Sequence, residues 1–227
     1  MATSYPRRDS ASGLWRLSDI TSNIKNYGTW PSGATRGVWA GGNPANVVID
    51  YVNIETTGDA SDFGDLTAAR KPCDCGGGNF TRGIFNGGEP AYSIDYITFL
   101  STGNAADFGD MSANRGMCGG ASNSIRSIFG GGRDPSVKNI IDYVTNATTG
   151  NSVDFGNLTS ARKLPGGAGS ATRVLFGGGN TGSVSNIIDF IEIASTGDAV
   201  DYGDLTAATS HTGGCSSTTK ALFAGGT

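Results

Sequence analysis

The stretch that decides the fold is Arg126-Ser127-Ile128-Phe129-Gly130-Gly131, then Asn139-Ile140-Ile141-Asp142-Tyr143-Val144-Thr145, then Ser152-Val153-Asp154-Phe155-Gly156-Asn157-Leu158 and Arg162. Each run is short, rich in β-branched or aromatic residues, and bounded by Gly, Asn, Asp or Thr, which are the marks of strands and tight turns. No segment with helical periodicity separates them. With the glycine-rich segment 116–124 as a first strand, the unit reads as four strands over 116–124, 126–131, 139–145 and 152–158.

The same phrase recurs along the chain. Ile-Asp-aromatic stands at Ile49-Asp50-Tyr51, Ile94-Asp95-Tyr96, Ile141-Asp142-Tyr143 and Ile188-Asp189-Phe190, a period of 45, 47 and 47 residues. Self-similarity at that spacing marks an array of one supersecondary unit of propeller-blade size. The expected fold is therefore all-β, a β-propeller of four-stranded blades over 35–227, preceded by a short leader over 1–34.

The chain has 227 residues, 37% of them apolar, enough for one compact body to bury roughly 70% of its unfolded surface. Glycine accounts for 37 residues, more than double an average usage of about 7%. It recurs at fixed offsets beside Ile, Val, Phe and Tyr, so it reads as turns and close strand approach and not as a flexible linker.

Sixteen basic and twenty acidic residues give a net charge of −4, spread evenly, with no basic run able to track a phosphate backbone. Nucleic acid is not expected as a partner. No stretch approaches the roughly 20 apolar residues of a membrane-spanning helix, and the N-terminus has no apolar core of a secretory signal, so membrane insertion is not expected either.

Residue chemistry argues for structure ahead of catalysis. The one histidine, His211, falls between repeats where Met117 and Leu164 stand in other copies, and no base or orienting group is spaced to make Ser210 or Cys215 a nucleophile. Cys73, Cys75, Cys118 and Cys215 are expected as free thiols, with Cys73 and Cys118 at equivalent places three residues after Arg70 and Arg115. The acids Asp59, Asp62 and Asp65, with their counterparts in later copies, stand three apart and lack the closely alternating acids and turn glycine of a calcium loop. They read as turn caps, and no metal or other cofactor is expected.

Charges kept in every copy have another reading. Asp50, Asp95, Asp142 and Asp189 recur with Arg70, Arg115 and Arg162, while Arg36, Arg82, Arg126, Arg173 and Lys220 mark the second strand. Opposite charges fixed beside apolar strands are expected to be buried and paired, within or between blades.

An apolar strand ending in Gly-Gly, then Ile-Asp-Tyr, then an aromatic before a Leu-Thr-x-x-Arg segment resembles a kelch repeat in divergent form, with Phe63, Phe108, Phe155 and Tyr202 where that repeat carries Trp. The Thr-Thr-Gly-Asn and Asp-Phe-Gly phrases are similar to repeats in structural proteins of tailed phages, especially those of cyanobacteria and other marine bacteria. That resemblance implies a virion structural protein made in the host cytoplasm, a tail-fibre or receptor-binding component that is not an enzyme. A capsid decoration or other virion scaffold role is the alternative within that class, and a glycan-active propeller enzyme is the alternative outside it.

Partners are expected at two places. The leader resembles the N-terminal segment of phage virion and tail-fibre proteins, and Ser18 can cap a short helix to about Tyr27. With Trp15, Ile20, Ile24 and Trp30 it forms a candidate anchor for other virion proteins. Where the copies differ most, between second and third strands, Asn43, Asn46, Glu89, Tyr92, Arg133, Asp134, Lys138, Asn180 and Ser185 are candidate contacts to a host receptor or glycan. The Gly-Gly strand occurs five times and the other two motifs four times, favouring a five-bladed ring closed by the leader, with a four-bladed ring or closure between subunits as alternatives. A homo-oligomer, such as a trimer, is implied by the fibre proteins that the chain resembles.

Overall fold

The computed structural model describes residues 35–71, 75–88 and 93–227. The candidate anchor residues Trp15, Ile20, Ile24 and Trp30, the loop residues Glu89 and Tyr92, and Cys73 lie outside the described residues.

The described chain is all-β. A first sheet holds β1 (Arg36–Ala40), β2 (Asn46–Asn53) and β3 (Ser61–Arg70). Three four-stranded antiparallel sheets follow: β4 (Cys75–Gly78), β5 (Arg82–Asn86), β6 (Ser93–Thr98) and β7 (Ala106–Asp110); β8 (Gly119–Ser122), β9 (Arg126–Gly130), β10 (Ile140–Thr145) and β11 (Val153–Asn157); β12 (Gly166–Gly169), β13 (Arg173–Gly177), β14 (Ser185–Glu192) and β15 (Val200–Thr209). A two-stranded fifth sheet, β16 (Gly213–Ser216) and β17 (Ala221–Ala224), ends it. Strands pair in sequence order, so every sheet is a meander of hairpins, as the motif order predicts.

One irregularity repeats in each of the first four sheets. The register of third against fourth strand slips at Ile49/Asp50, Ile94/Asp95, Ile141/Asp142 and Ile188/Asp189. Ile141 faces Gly156 while Asp142 faces Asp154, so Phe155 is the extra residue of a β-bulge. The glycine after the aromatic has φ of 145°, 145°, 148° and 136° at Gly64, Gly109, Gly156 and Gly203, a conformation side chains rarely adopt. Asp-aromatic-Gly is thus a bulge sequence that aims its ring inward, and Phe63, Phe108 and Phe155 are all buried.

The core lies between sheets. Ile49, Phe63 and Leu66 of the first sheet pack with Phe85 and Ile97 of the second. Ile84, Ile94, Phe108 and Met111 of the second meet Phe129 and Val144 of the third. Ile128, Ile141, Phe155 and Leu158 of the third meet Val174, Phe176, Ile191 and Ile193 of the fourth. No described core cluster joins the fifth sheet to the first.

At one edge the sheets approach more closely than side chains allow. A Cβ placed on Gly120 would lie 2.7 Å from the Gly76 carbonyl oxygen, one on Gly167 would overlap the Gly120 backbone, and one on Gly214 the Gly167 backbone. The first strand of each sheet is glycine-rich because its neighbours' main chains occupy the side-chain space. Gly167→Ala is therefore expected to cost about 1–3 kcal/mol, while Gly76→Ala, whose added Cβ meets nothing nearer than 3.9 Å among the described residues, should stay within about 0.5 kcal/mol. Urea unfolding of the two variants beside the parent checks the contrast.

Candidate interaction surfaces

Successive sheets are joined by buried ion pairs that run from one repeat to the next. Arg70, at the end of β3, donates from Nη2 to Asp95 Oδ2 on β6 at 2.8 Å; Arg115 Nη1 reaches Asp142 Oδ2 at 2.9 Å, and Arg162 Nη1 reaches Asp189 Oδ2 at 3.0 Å. All six side chains are wholly buried. Each carboxylate also accepts from the preceding sheet: Thr67 donates its backbone N–H and hydroxyl to Asp95, Ser112 likewise to Asp142, and Thr159 to Asp189. The arginines spend further donors on the Ser93, Gly131, Phe129 and Phe176 carbonyls. Burial pulls the Arg162 guanidinium down from its usual range, the Asp189 carboxylate opposing, and Arg162 Nε has no partner.

Asp50 is exposed and in no ion pair among the described residues; the other carboxylates are served by the arginine of the preceding repeat, and the residues before Thr35 lie outside the described ones. At the other end, Thr209 replaces the arginine.

Three more devices cross the interfaces among the first four sheets. Gly103, Gly150 and Gly197 donate N–H groups to the carbonyls of Phe63, Phe108 and Phe155, each at 2.7 Å. Asn104, Asn151 and Asp198 accept from the backbone N–H of Asp65, Asp110 and Asn157. The side-chain carboxylates of Asp62 and Asp201 instead accept from Gly64 and Gly203 two residues on, closing local turns. On the second strand, Arg36, Arg82 and Arg126 lie over the rings of Tyr51, Tyr96 and Tyr143 and donate to the carbonyls of Phe99, Asn146 and Ile193 in the next sheet or the one its turn belongs to. Those tyrosines meet Phe63, Phe108 and Phe155 edge-on at 5.7–5.8 Å.

His211 shares the backbone conformation of its equivalents, and its Nδ1 lies 3.1 Å from the Ser210 hydroxyl. Met117, Leu164 and His211 all have left-handed φ, at 60°, 58° and 61°, and Leu164 and His211 donate their N–H groups to the carbonyls of Met117 and Leu164. Among the cysteines, the structure sets Cys75, on β4, beside Cys118 in one buried cluster. A hydrogen bond with Cys75 holds the Cys118 thiol below its ordinary range, burial opposing and Arg115 assisting. Among the described residues no group of three His, Cys, Asp or Glu side chains is placed to hold a metal ion, and no helix is long and apolar enough to cross a membrane.

The candidate loop residues divide into two kinds. Asn43 and Arg133 are exposed, and Asp134, Lys138 and Asn180 half-buried. Four of them bond backbone of their own connections: Arg133 Nε donates to the Pro135 carbonyl, Asn46 Oδ1 accepts from Val48, Asn180 Oδ1 from Gly182, and Ser185, buried at the start of β14, from Ile187. These connections all follow the second strand, so equivalent packing opens them at one end of the stack.

Spacing separates scaffold from surface in a way the motif reading missed. From the third-strand Asp to the next Arg the distance is 20 residues three times, at 50–70, 95–115 and 142–162. From the second-strand Arg to the Asp it is 14, 13, 16 and 16, at 36–50, 82–95, 126–142 and 173–189. Length is fixed where backbone bonds cross between sheets and varies where the connection meets solvent. Comparison with known proteins gives no matching family model and no matching curated protein.

Asp142→Ala should cost about 3–5 kcal/mol by stranding buried Arg115, whereas Asp50→Ala should stay within about 0.5 kcal/mol. Thermal and urea unfolding of both variants measures the difference.

Proposed function

We propose that this chain is a virion structural protein of a tailed phage, a tail-fibre or receptor-binding component in which the sheets are blades of a divergent kelch-like β-propeller with a fifth blade completed by other strands. The observation that carries the binding part is the split in spacing: an invariant 20-residue scaffold segment beside connections of changing length and sequence. A rigid array presenting variable loops at one end suits recognition of a polymeric or protein receptor on a host surface. Among the repeated acids, Asp62, Asp198 and Asp201 are committed to turns and cross-sheet bonds, which supports binding over the unequal carboxylate pair of a glycosidase. The leader is assigned to anchoring on other virion proteins, with the assembled component a homo-oligomer.

Mass spectrometry of purified particles should find the chain, and labelling should place it at the tail. Its absence from particles overturns the virion reading. In the purified protein, Arg133→Ala with Lys138→Ala should weaken retention on host-surface glycan or outer-membrane extract at least about tenfold without moving the unfolding midpoint, a change of about 1.4 kcal/mol. Unchanged retention removes this loop from the receptor site, and sugar release by the parent protein would establish an enzyme.

A further inference from the structure

Two sulfur atoms meet in the seam between the second and third sheets. Cys75 opens β4 and Cys118 immediately precedes β8; they are 0% and 1% exposed and share one cluster with Ile94, Phe108 and Phe129. The places that repeat this contact at the next two seams are Gly119 against Pro165 and Gly166 against Thr212. A Cβ added to either glycine would stand beside the γ atom of the residue it faces, 3.2 Å from Pro165 Cγ and 2.8 Å from Thr212 Oγ1. Cys75 supplies that Cβ, and Cys118 supplies sulfur as the γ atom. In a disulfide each Cβ lies about 3 Å from the partner's sulfur, so the backbone of this seam sets the two side chains within bonding reach. Cys118 Sγ is also seated against Gly132, where an added Cβ would come within 2.8 Å of it.

The same seam has a weak point. Asn86 stands directly opposite Cys75 in the β4–β5 pairing, so the two side chains share a face, and its place is taken by Gly130 and Gly177 in the next two sheets. A Cβ on Gly130 would lie 2.7 Å from the Phe176 ring of the following sheet, and one on Gly177 3.0 Å from the Phe223 ring. By the same direction Asn86 is aimed at the third sheet. It is wholly buried, and neither its Oδ1 nor its Nδ2 has a partner among the described residues. A buried amide without partners is a cost of the closed seam that contact with water removes, which favours transient opening and gives a small oxidant access. Within the pair, a hydrogen bond with Cys75 keeps the Cys118 thiol low against its burial, with Arg115 assisting. Thiolate character makes Cys118 the attacking group.

We propose that Cys75 and Cys118 are a redox-sensitive clasp, converted by peroxide into a disulfide that ties the second sheet to the third. The Cys118 thiolate attacks one peroxide oxygen, the O–O bond breaks, and the departing hydroxide takes a proton and leaves as water, with sulfenic acid on Cys118. The Cys75 sulfur then attacks the Cys118 sulfur, the S–S bond forms, and the sulfenic hydroxyl leaves as water with the Cys75 proton. The two thiols give up two electrons and two protons, and one peroxide becomes two waters. The clasp follows from the packing alone and is independent of the virion reading.

The full chain, purified reduced, is treated with hydrogen peroxide, alkylated in denaturant and digested without reductant. Mass spectrometry should find the Cys75 and Cys118 peptides linked within one chain, and the urea midpoint should rise until dithiothreitol restores it. Closing the loop 75–118 should raise the folded-to-unfolded ratio at least about tenfold. A chain with Cys73→Ser and Cys215→Ser should form the same link, and one with Cys75→Ser should instead hold a sulfenic acid on Cys118 that dimedone traps. Both thiols still alkylated after peroxide, links confined to Cys73 or Cys215 or running between chains, or a linked form no more stable than the reduced one overturns the proposal. Purified protein holding one thiophilic metal ion per chain, whose removal frees both thiols, would assign the pair to metal binding and also overturn it.

Discussion

A guanidinium of one sheet buried against a carboxylate of the next is the constraint on which the rest of the stack depends. Neither ion is acceptable alone in a water-free interface, so each arginine and aspartate meet at 2.8–3.0 Å, with most of their other donors and acceptors filled and Arg162 Nε the exception. That requirement fixes where the fourth strand of one sheet ends relative to the third strand of the next. The hydroxyl and N–H of Thr67, Ser112 or Thr159 on the same carboxylate remove the remaining freedom of sliding. Apolar residues between sheets, such as Phe129 and Phe176, supply attraction without direction; the ion pairs supply register.

Much of this was legible in sequence. Strand runs such as 126–131 and 139–145 correspond to β9 and β10, shorter by one residue each, and the inward aromatic at Phe63, Phe108 and Phe155 follows from motif position. The pairing of conserved charges was legible as a type but not as a partnership. Asp50 carries the same motif as Asp142, and only the packing direction reveals that its arginine must come from a preceding repeat. The bulge was written in Asp-aromatic-Gly, yet spacing alone does not separate a bulge from a plain turn, since both use glycine at positive φ. Likewise, nothing in the composition distinguishes Ser185, which is buried, from Arg133, which faces solvent; the difference is made by which side of the connection packs.

Because each sheet touches the one before and the one after, stability in such an array is a sum of nearest-neighbour terms, and its weakest terms lie where a neighbour is missing. The exposure of Val200, Tyr202 and Leu222 is the local expression of that rule. The interface that is closed three times inside the chain is open there among the described residues, with Thr209 in place of the arginine.

The glycine column has a geometric corollary. Along that margin the sheets are separated only by main chain, while farther out Tyr-Phe pairs and arginine side chains hold them apart. Plates spaced thinly on one side and thickly on the other are wedges, so a methyl group added to the thin margin would act on the angle between neighbouring sheets as well as on stability.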